Sequence, residues 1–267
     1  IPDARYENMT KAGGYAYNPA KSEYMNVFES LIPKAEAAIA FDVADAGVAD
    51  NAGLATSFTV SHTNTGSDVT LVVPLTLNET SSRIVTGCTY NGASMINAAT
   101  STQDNVKNLL WYKINPTTGA NDLTCTVSGV LTGAKQIGFR GLSYTGTDQT
   151  TQPDSTGTNN LNGSAVTTFT VSTTVVASNS WLVGGAGEDA GEIAGGTAGA
   201  GTTYRGAALL NLMTADSNGT VGTGAQTLNW GRGPDPADPG DITGVIISLK
   251  VLGGGATVIK QSEFFDE

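Results

Sequence analysis

The sequence predicts an all-β protein, and three observations carry this prediction. Only 14% of the residues are charged, 34 are Gly, and Ser and Thr together make up about a fifth of the chain, which is typical of many short strands joined by tight turns. Apolar and hydroxyl side chains alternate in several segments. These segments follow one another between residues 37 and 253. We therefore predict a two-sheet antiparallel β-sandwich of jelly-roll, lectin-like type over residues 37–253.

Residues 1–36 differ from the rest of the chain and predict an extended arm that carries a short amphipathic helix. Asn18 followed by Pro19 is a typical helix start, with Asn as the N-cap and Pro at the first helical position. The apolar residues that follow recur at helical spacing and predict one apolar face: Tyr24, Val27, Phe28, Leu31 and Ile32. A helix this short requires a surface to pack on. That surface is either its own domain or a neighbouring subunit, so these five residues are candidate subunit contacts.

The β-pattern begins after residue 37. Residues 57–63 alternate like a half-buried strand, and residues 69–77 form a richer apolar run that suits the centre of a sheet. Pro74 lies within that run, which predicts an edge or a bulge because proline lacks the N–H of a ladder hydrogen bond. The dipeptide Asn91-Gly92 predicts a tight hairpin turn.

Residues 109–129 predict a second hairpin. An aromatic-rich run ends in a polar turn, and alternation then resumes with Leu123, Cys125 and Val127 facing the core. Cys88 lies in another strand-like run, and two interpretations of the two Cys stay open: a disulfide between neighbouring strands, or two small buried apolar side chains. Two separated Cys and one His do not predict a zinc cluster.

The last third of the chain combines glycine-rich and apolar segments. Residues 184–201 are nearly all Gly, Ala and acidic residues, which predicts a long flexible loop, whereas residues 242–252 predict an apolar closing strand. Residues 254–267 form a glycine-hinged tail outside the domain pattern. Val258 and Ile259 give that tail strand propensity, and they are candidate subunit contacts through addition to a neighbouring sheet edge.

The charge balance bears on the partners. The formal net charge of −11 and the sequence pI near 4.4 argue against binding to nucleic-acid phosphates or to an anionic membrane surface. No apolar run approaches the roughly 20 residues that span a bilayer. We therefore expect no nucleic-acid partner and no membrane insertion.

Several short motifs occur in a particular order between residues 50 and 252. They are Ser61-His62-Thr63 before the Leu71-Val72-Val73 strand, Thr89-Tyr90-Asn91-Gly92, Leu110-Trp111-Tyr112 with Asn115-Pro116 and Gly119, Ser143-Tyr144-Thr145-Gly146-Thr147-Asp148-Gln149, Leu228-Asn229-Trp230 and Gly244-Val245-Ile246-Ile247-Ser248-Leu249-Lys250. In this order they resemble a widespread, largely uncharacterised family of β-sandwich modules of secreted bacterial proteins and phage structural proteins. The resemblance implies a lectin-like jelly roll displayed outside the cell or on a virion, with no catalytic residues to carry over.

The residues that could carry catalysis are few. His62 is the one His of the chain, and no Gly-x-Ser-x-Gly elbow accompanies it, which favours a structural or surface role. Glu188, Asp189 and Glu192 form the tightest acidic cluster. A glycosidase requires two carboxylates that face one cleft, but neighbouring Glu188 and Asp189 on a strand would point to opposite faces. We predict that the chain is not an enzyme.

Calcium is an alternative at acidic loop positions, although no cofactor is predicted. The candidate oxygen ligands are Asp148 and Asp154, and the series Asp235, Asp238 and Asp241. Neither group has EF-hand spacing, and acidic turns are more often simply solvated. The four glycosylation sequons, which begin at Asn8, Asn78, Asn162 and Asn218, are weak evidence for glycosylation, because about four are expected by chance in a chain this rich in Ser and Thr. The three Trp residues lie in strand patterns, where core packing is more common than stacking on a sugar.

Two functional hypotheses follow. The first is a non-enzymatic structural protein that forms or decorates an extracellular or virion assembly, with terminal arms that contact copies of itself or a capsid or fibre protein. The alternative is a glycan-binding module of an adhesin or a phage tail fibre, a hypothesis motivated by the expected lectin-like architecture and by the acidic, glycine-rich loops.

Overall fold

The structure, a computed structural model, describes residues 38–50, 55–78, 83–131, 136–163, 166–189, 197–209, 211–232 and 240–253. Every regular element within these ranges is a β-strand, and the strand pairs are antiparallel. The predicted all-β class and the antiparallel β-sandwich are thus confirmed.

The described strands form four sheets, here numbered I to IV in the order in which they stack. Sheet I has the order β3-β9-β5-β6, with β3 (Ser57–Asn64), β5 (Val85–Tyr90), β6 (Ala93–Ser94) and β9 (Gly119–Val127). Sheet II contains β1 (Ala40–Ala44), β2 (Val48–Asp50), β4 (Thr70–Asn78), β7 (Ile96–Gln103), β8 (Val106–Ile114), β10 (Gln136–Phe139) and β11 (Leu142–Thr145). In sheet II, β4 pairs with β8 on one side and with β10 and β11 on the other.

Sheets III and IV come from the second half of the chain. Sheet III has the order β12-β18-β14-β16-β15, with β12 (Ser155–Leu161), β14 (Trp181–Glu188), β15 (Thr203–Tyr204), β16 (Leu212–Asp216) and β18 (Ile242–Leu249). Sheet IV consists of β13 (Thr168–Val175) and β17 (Gly224–Gly231).

Three apolar layers separate the four sheets. Sheets I and II enclose a core that includes Phe58, Leu71, Val73, Leu75, Leu123, Cys125, Ile137 and Phe139. Sheets II and III enclose a second core that includes Val72, Leu110, Tyr144, Trp181, Val183, Val245 and Ile247. Sheets III and IV enclose a third core that includes Phe169, Leu182, Leu228, Trp230 and Ile246. The central strands β4, β14 and β18 are therefore buried on both faces, which explains their nearly continuous apolar sequences.

The prediction of two sheets was wrong, because two sandwiches are stacked on each other. The predicted second hairpin was wrong for a related reason: β8 pairs in sheet II and β9 in sheet I. The turn between them carries the chain from one sheet to the facing one. Leu123, Cys125 and Val127 do face the core, as predicted. Local alternation gives the inward face of a strand, but it does not distinguish a lateral partner from a facing one.

The flexible loop predicted from residue 184 onward was also wrong at its start, because β14 continues to Glu188 as a buried strand of sheet III. A Cβ atom at Gly185 would lie 2.6 Å from Cβ of Pro74, and one at Gly187 would lie 2.2 Å from Oγ1 of Thr76. Glycine lets the backbone of β14 approach β4 closely. The poverty in apolar side chains therefore reflects close contact between sheets.

Pro74 lies in the central strand β4, opposite an interruption of the neighbouring strand. β10 ends at Phe139 and β11 begins at Leu142, and the Pro74 carbonyl accepts a hydrogen bond from the Arg140 N–H (3.3 Å). The missing N–H of proline thus faces the point where regular pairing is already broken. The predicted irregularity is present, although β4 is not an edge strand.

Other local predictions agree with the structure. β3 covers residues 57–64, and Asn91 and Gly92 both have positive φ, as a tight hairpin turn of this kind requires. Several predicted features lie outside the described residues: the helix with Tyr24, Val27, Phe28, Leu31 and Ile32, the tail with Val258 and Ile259, and the side chains of Asn8, Glu192, Asp235 and Asp238.

Candidate functional site

A polar cluster occupies the interruption between β10 and β11. His62 is completely buried, and its Nδ1 lies 3.1 Å from Oδ2 of Asp45. The same carboxylate accepts the backbone N–H of Gly141 (3.0 Å) and of Gly47 (2.8 Å). Nε2 of His62 has no hydrogen-bond partner among the described residues. The arrangement fixes the irregular backbone of β1, β2 and β11.

Arg140 extends this cluster to the second half of the chain. Its buried guanidinium donates to the carbonyls of Asp45 (3.0 Å) and Ala46 (3.3 Å) in the first half, and to those of Arg205 (2.9 Å) and Ala207 (2.7 Å) in the second. Burial lowers the pKa of Arg140 from its ordinary value, and the negative charge of Asp45 partly offsets this effect. The side chain cross-links sheets II and III.

A second arginine makes the reciprocal contact. Arg205 donates to the buried carboxylate of Asp216 (2.6 Å), and its guanidinium carbon lies 4.1 Å from the ring centroid of Phe41 on β1. The hydroxyl of Tyr144 donates to the same carboxylate (2.9 Å). Burial raises the pKa of Tyr144 well above its ordinary value, and the charge of Asp216 raises it further. Tyr144 therefore remains neutral and acts as a donor.

The acidic residues singled out from the sequence mostly hold loops. Glu188 is buried and forms an ion pair with Arg232. Asp148 accepts the backbone N–H groups of Thr150 and Thr151, and Asp154 accepts those of residues 176 and 177. Asp241 accepts the Gly163 N–H at 3.0 Å.

Asp241 has a raised pKa because of burial and of the nearby negative charges of Asp189 and Asp104, although its hydrogen bond from Gly163 lowers it. Within the described ranges, no three His, Cys, Asp or Glu side chains are arranged to hold a metal ion. These carboxylates are thus explained by backbone capping and ion pairing.

An apolar groove of about 330 Å³ opens where sheet II extends beyond sheet I. Its floor is formed by Leu109 and Trp111 of β8, and its wall by Val85 at the start of β5 and by Ile84 just before it. The other lining residues are Asn97, Thr100, Thr102 and Lys107. Ile84 is 55% exposed, which is unusual for a large apolar side chain at the edge of a core.

The groove lies beside an open strand edge. β5 pairs with β9 along one side, whereas β6 covers the other side only at Thr89 and Tyr90. The Cys88 carbonyl accepts the Met95 N–H there, and no described residue pairs with that side at residues 84–87. Open edges of this kind are sites for addition of a further strand.

The structure brings Cys88 and Cys125 together and joins them in a disulfide across β5 and β9, with a Cα–Cα distance of 4.1 Å. Trp230 and Trp181 lie in the cores, whereas Trp111 is half-buried in the groove. Of the described sequon asparagines, Asn78 and Asn162 donate their amides to neighbouring acceptors. The exposed Asn218 accepts a hydrogen bond from Arg205 at 2.7 Å.

The groove and the Arg140 cross-link were not predicted from the sequence. The sequence pattern places Trp111 in a strand. It does not indicate that β6 is short, and the groove is uncovered because β6 is short. Arg140 stands between Phe139 and Gly141 in an otherwise apolar run, and an isolated Arg in such a run was the available signal.

Comparison of the chain with protein families, with curated proteins and with solved structures gives no match in any of the three. In the described part of the chain, no helix has the length and apolar character needed to cross a membrane.

Proposed function

We propose that this chain is a non-enzymatic structural protein that forms or decorates an extracellular or virion assembly, with its terminal segments making the subunit contacts. The observation that supports this proposal best is the groove beside the open edge of β5. A sheet edge with unpaired backbone groups next to an uncovered apolar surface suits the docking of an extended segment.

Other features agree with this proposal. Sheet III from the second half of the chain covers one face of sheet II, and sheet I covers the other face, so that β4 is buried on both sides. Arg140 and Arg205 join the two sandwiches through their contacts. A rigid unit of this kind suits a repeated building block. We also propose that the strands are connected as in a jelly roll, and that the chain is related to the modules of secreted bacterial and phage structural proteins that it resembles.

The test is the mass of the full chain in solution by light scattering, together with negative-stain images. Two variants of the full chain are compared with it: Val27→Asp with Phe28→Asp in the arm, and Val258→Asp with Ile259→Asp in the tail. We expect ordered multimers of the native chain and a loss of multimers in at least one variant. A native chain that stays monomeric at all concentrations contradicts the proposal.

A glycan-binding module is the second candidate, and the position of Trp111 favours it. A half-buried indole beside the polar side chains of Asn97, Thr100 and Lys107 is an arrangement that can stack on a sugar ring and bind its hydroxyls. Glycan arrays with calcium present test this candidate, with Trp111→Ala as the variant and Trp230→Phe as the core control. Blank arrays for the native chain remove it.

A further inference from the structure

The open edge of β5 and the groove beside it lack one strand of a complete sandwich. We propose that the C-terminal segment 256–260 of a second copy of this chain adds as that strand, pairs with residues 84–87 and covers the groove. This inference rests on the proposed function and names the acceptor and the donor of the subunit contact.

The open backbone edge beside the groove selects an extended chain as its occupant. On one side, the strand that contains residues 84–87 pairs with β9. On its other side, the Cys88 carbonyl accepts the Met95 N–H, and the backbone of residues 84–87 has no partner strand among the described residues. An extended chain is the ligand that can satisfy N–H and C=O groups spaced along a strand. The occupant is therefore a strand.

The apolar floor of the groove selects a strand with apolar side chains. A strand added at this edge turns alternate side chains toward sheet II, where they meet Leu109 and Trp111. In the segment 256–260, alternation puts the small or apolar Ala256 and Val258 on one face, with Lys260 at the end of that face, and Ile259 on the other face. With Val258 toward the floor, Ile259 lies on the outer face beside the exposed Ile84. Both apolar features of the site are then covered.

The charge at the groove is opposite to that of the C-terminal tail. Lys107 lines the groove, and its Nζ donates to the backbone carbonyl of Arg83 (2.7 Å), which holds this ammonium group at one end of the groove. The residues that follow the donor strand carry three carboxylates, those of Glu263, Asp266 and Glu267. The opposite charges favour the tail over a neutral strand.

Chain length then selects a second copy. Leu252 donates its N–H to the Gly146 carbonyl, and Thr147 donates to the Asp68 carbonyl, so the chain leaves the sheets near Asp68. On the groove floor, Trp111 pairs with Val73 and Leu109 with Leu75, about five and seven residues, or roughly 17 and 23 Å, further along β4. Val251 bridges Thr147 on the β11 side of β4, whereas β8 lies on the other side, so three strand spacings, or roughly 14 Å, also separate them sideways. The floor residues are therefore about 22 Å and 27 Å from the point where the chain leaves the sheets, whereas the five peptide steps from Gly253 to Val258 span at most about 18 Å. The tail of the same copy cannot place Val258 over either residue.

Thiol cross-linking between two full-length variants tests this arrangement. One chain carries Ile84→Cys, the other carries Ile259→Cys and a tag that changes its mass, and the two are mixed and treated with a short bis-maleimide. The control replaces the first chain by one with Val176→Cys, because Val176 is 71% exposed and lies far from the groove in sequence. Cys88 and Cys125 are bonded to each other and do not react.

We expect about tenfold more heterodimer with Ile84→Cys than with Val176→Cys, since docking raises the effective concentration of the two thiols. Equal yields from a mixture that forms multimers overturn this inference while leaving the proposed function in place. A native chain that forms no multimers by light scattering overturns both.

Discussion

The guanidinium of Arg140 lies directly against the α-carbon of Gly206. A Cβ atom at Gly206 would be 2.5 Å from Cζ of Arg140, and Gly206 has a φ of +83°. Arg140 donates to the carbonyls on either side of Gly206, those of Arg205 and Ala207. The turn after β15 thus wraps around an arginine that belongs to the other sandwich, and this contact holds the two sandwiches in register.

The first prediction concerns that contact. Gly206→Ala combines a left-handed backbone conformation with a clash against a buried side chain, and we expect it to lower the free energy of unfolding by about 2–4 kcal/mol. Gly201→Ala is the matched control, because Gly201 also has a positive φ of 70° but a Cβ atom there would meet nothing within 4 Å. The control should lose only about 1–2 kcal/mol. Urea denaturation measures the free energy of unfolding of both variants. Equal losses would show that the Arg140 side chain moves aside without an energetic penalty.

The second prediction concerns pH. Partial burial raises the pKa of Asp148, but hydrogen bonds from Thr150 and Thr151 and the charge of Lys250 outweigh it and hold the pKa at about 2. The folded-state pKa lies below the unfolded value of about 3.9, so the stabilisation is present above pH 4 and is lost as the pH falls toward 2. We expect this carboxylate to contribute about 1–2 kcal/mol after allowance for solvent screening.

Asp148→Asn tests this expectation through urea midpoints between pH 5 and pH 2. The variant should be less stable than the native chain at pH 5, and the difference should shrink toward pH 2. Thr150→Val, which keeps the carboxylate but removes one donor hydroxyl, should show a smaller change of the same sign. A difference that is constant with pH would contradict the assignment.

Much of the fold was predictable because it depends on the local pattern. The alternation in β3, the apolar run of β4 and the turn at Asn91-Gly92 are each encoded by neighbouring residues. Partner choice was not predictable in the same way. β8 and β9 follow one another with a turn between them, as the strands of a hairpin do. In the structure, however, β4 and β7 pair with the two edges of β8, so β9 faces β8 from the other sheet instead of pairing with it.

Gly185 and Gly187 show a second limit of the local pattern. A glycine-rich, acid-containing segment indicates a loop when it is considered alone. In the folded chain, the absent side chains of β14 make room for Pro74 and Thr76 of β4, and the buried Glu188 is balanced by Arg232, which is 44 residues away in sequence. The candidate groove was unpredictable for a similar reason, because it results from the shortness of β6 relative to the sheet below.

The third prediction concerns the disulfide. Cys88 and Cys125 are 37 residues apart, and a cross-link that closes a loop of this length contributes about 3–4 kcal/mol in the chain-entropy model. Both residues are buried, so a reductant acts through unfolded molecules. We expect the urea midpoint at equilibrium to fall in the presence of a reductant. The variant with Cys88→Ala and Cys125→Ala should match the reduced chain and show no response to the reductant, and a response there would point to another cause.

The fourth prediction concerns the wall of the groove. Ile84→Lys places a charge beside the open edge of β5, where we propose that a strand of a second copy docks. Because Ile84 is exposed, the free energy of unfolding should change by less than about 0.5 kcal/mol, whereas the loss of about 1–3 kcal/mol from each subunit contact should raise the concentration needed for assembly roughly 10- to 100-fold.

Val176→Lys is the control for this variant, since it replaces another exposed β-branched residue away from the groove, with 71% exposure against 55% for Ile84. Light scattering over a dilution series measures the concentration at which multimers form, and urea denaturation shows whether the variants stay folded. The control should assemble like the native chain. If both variants shift assembly by the same amount, the effect is one of net charge, and the groove does not contribute specifically to the contact between copies.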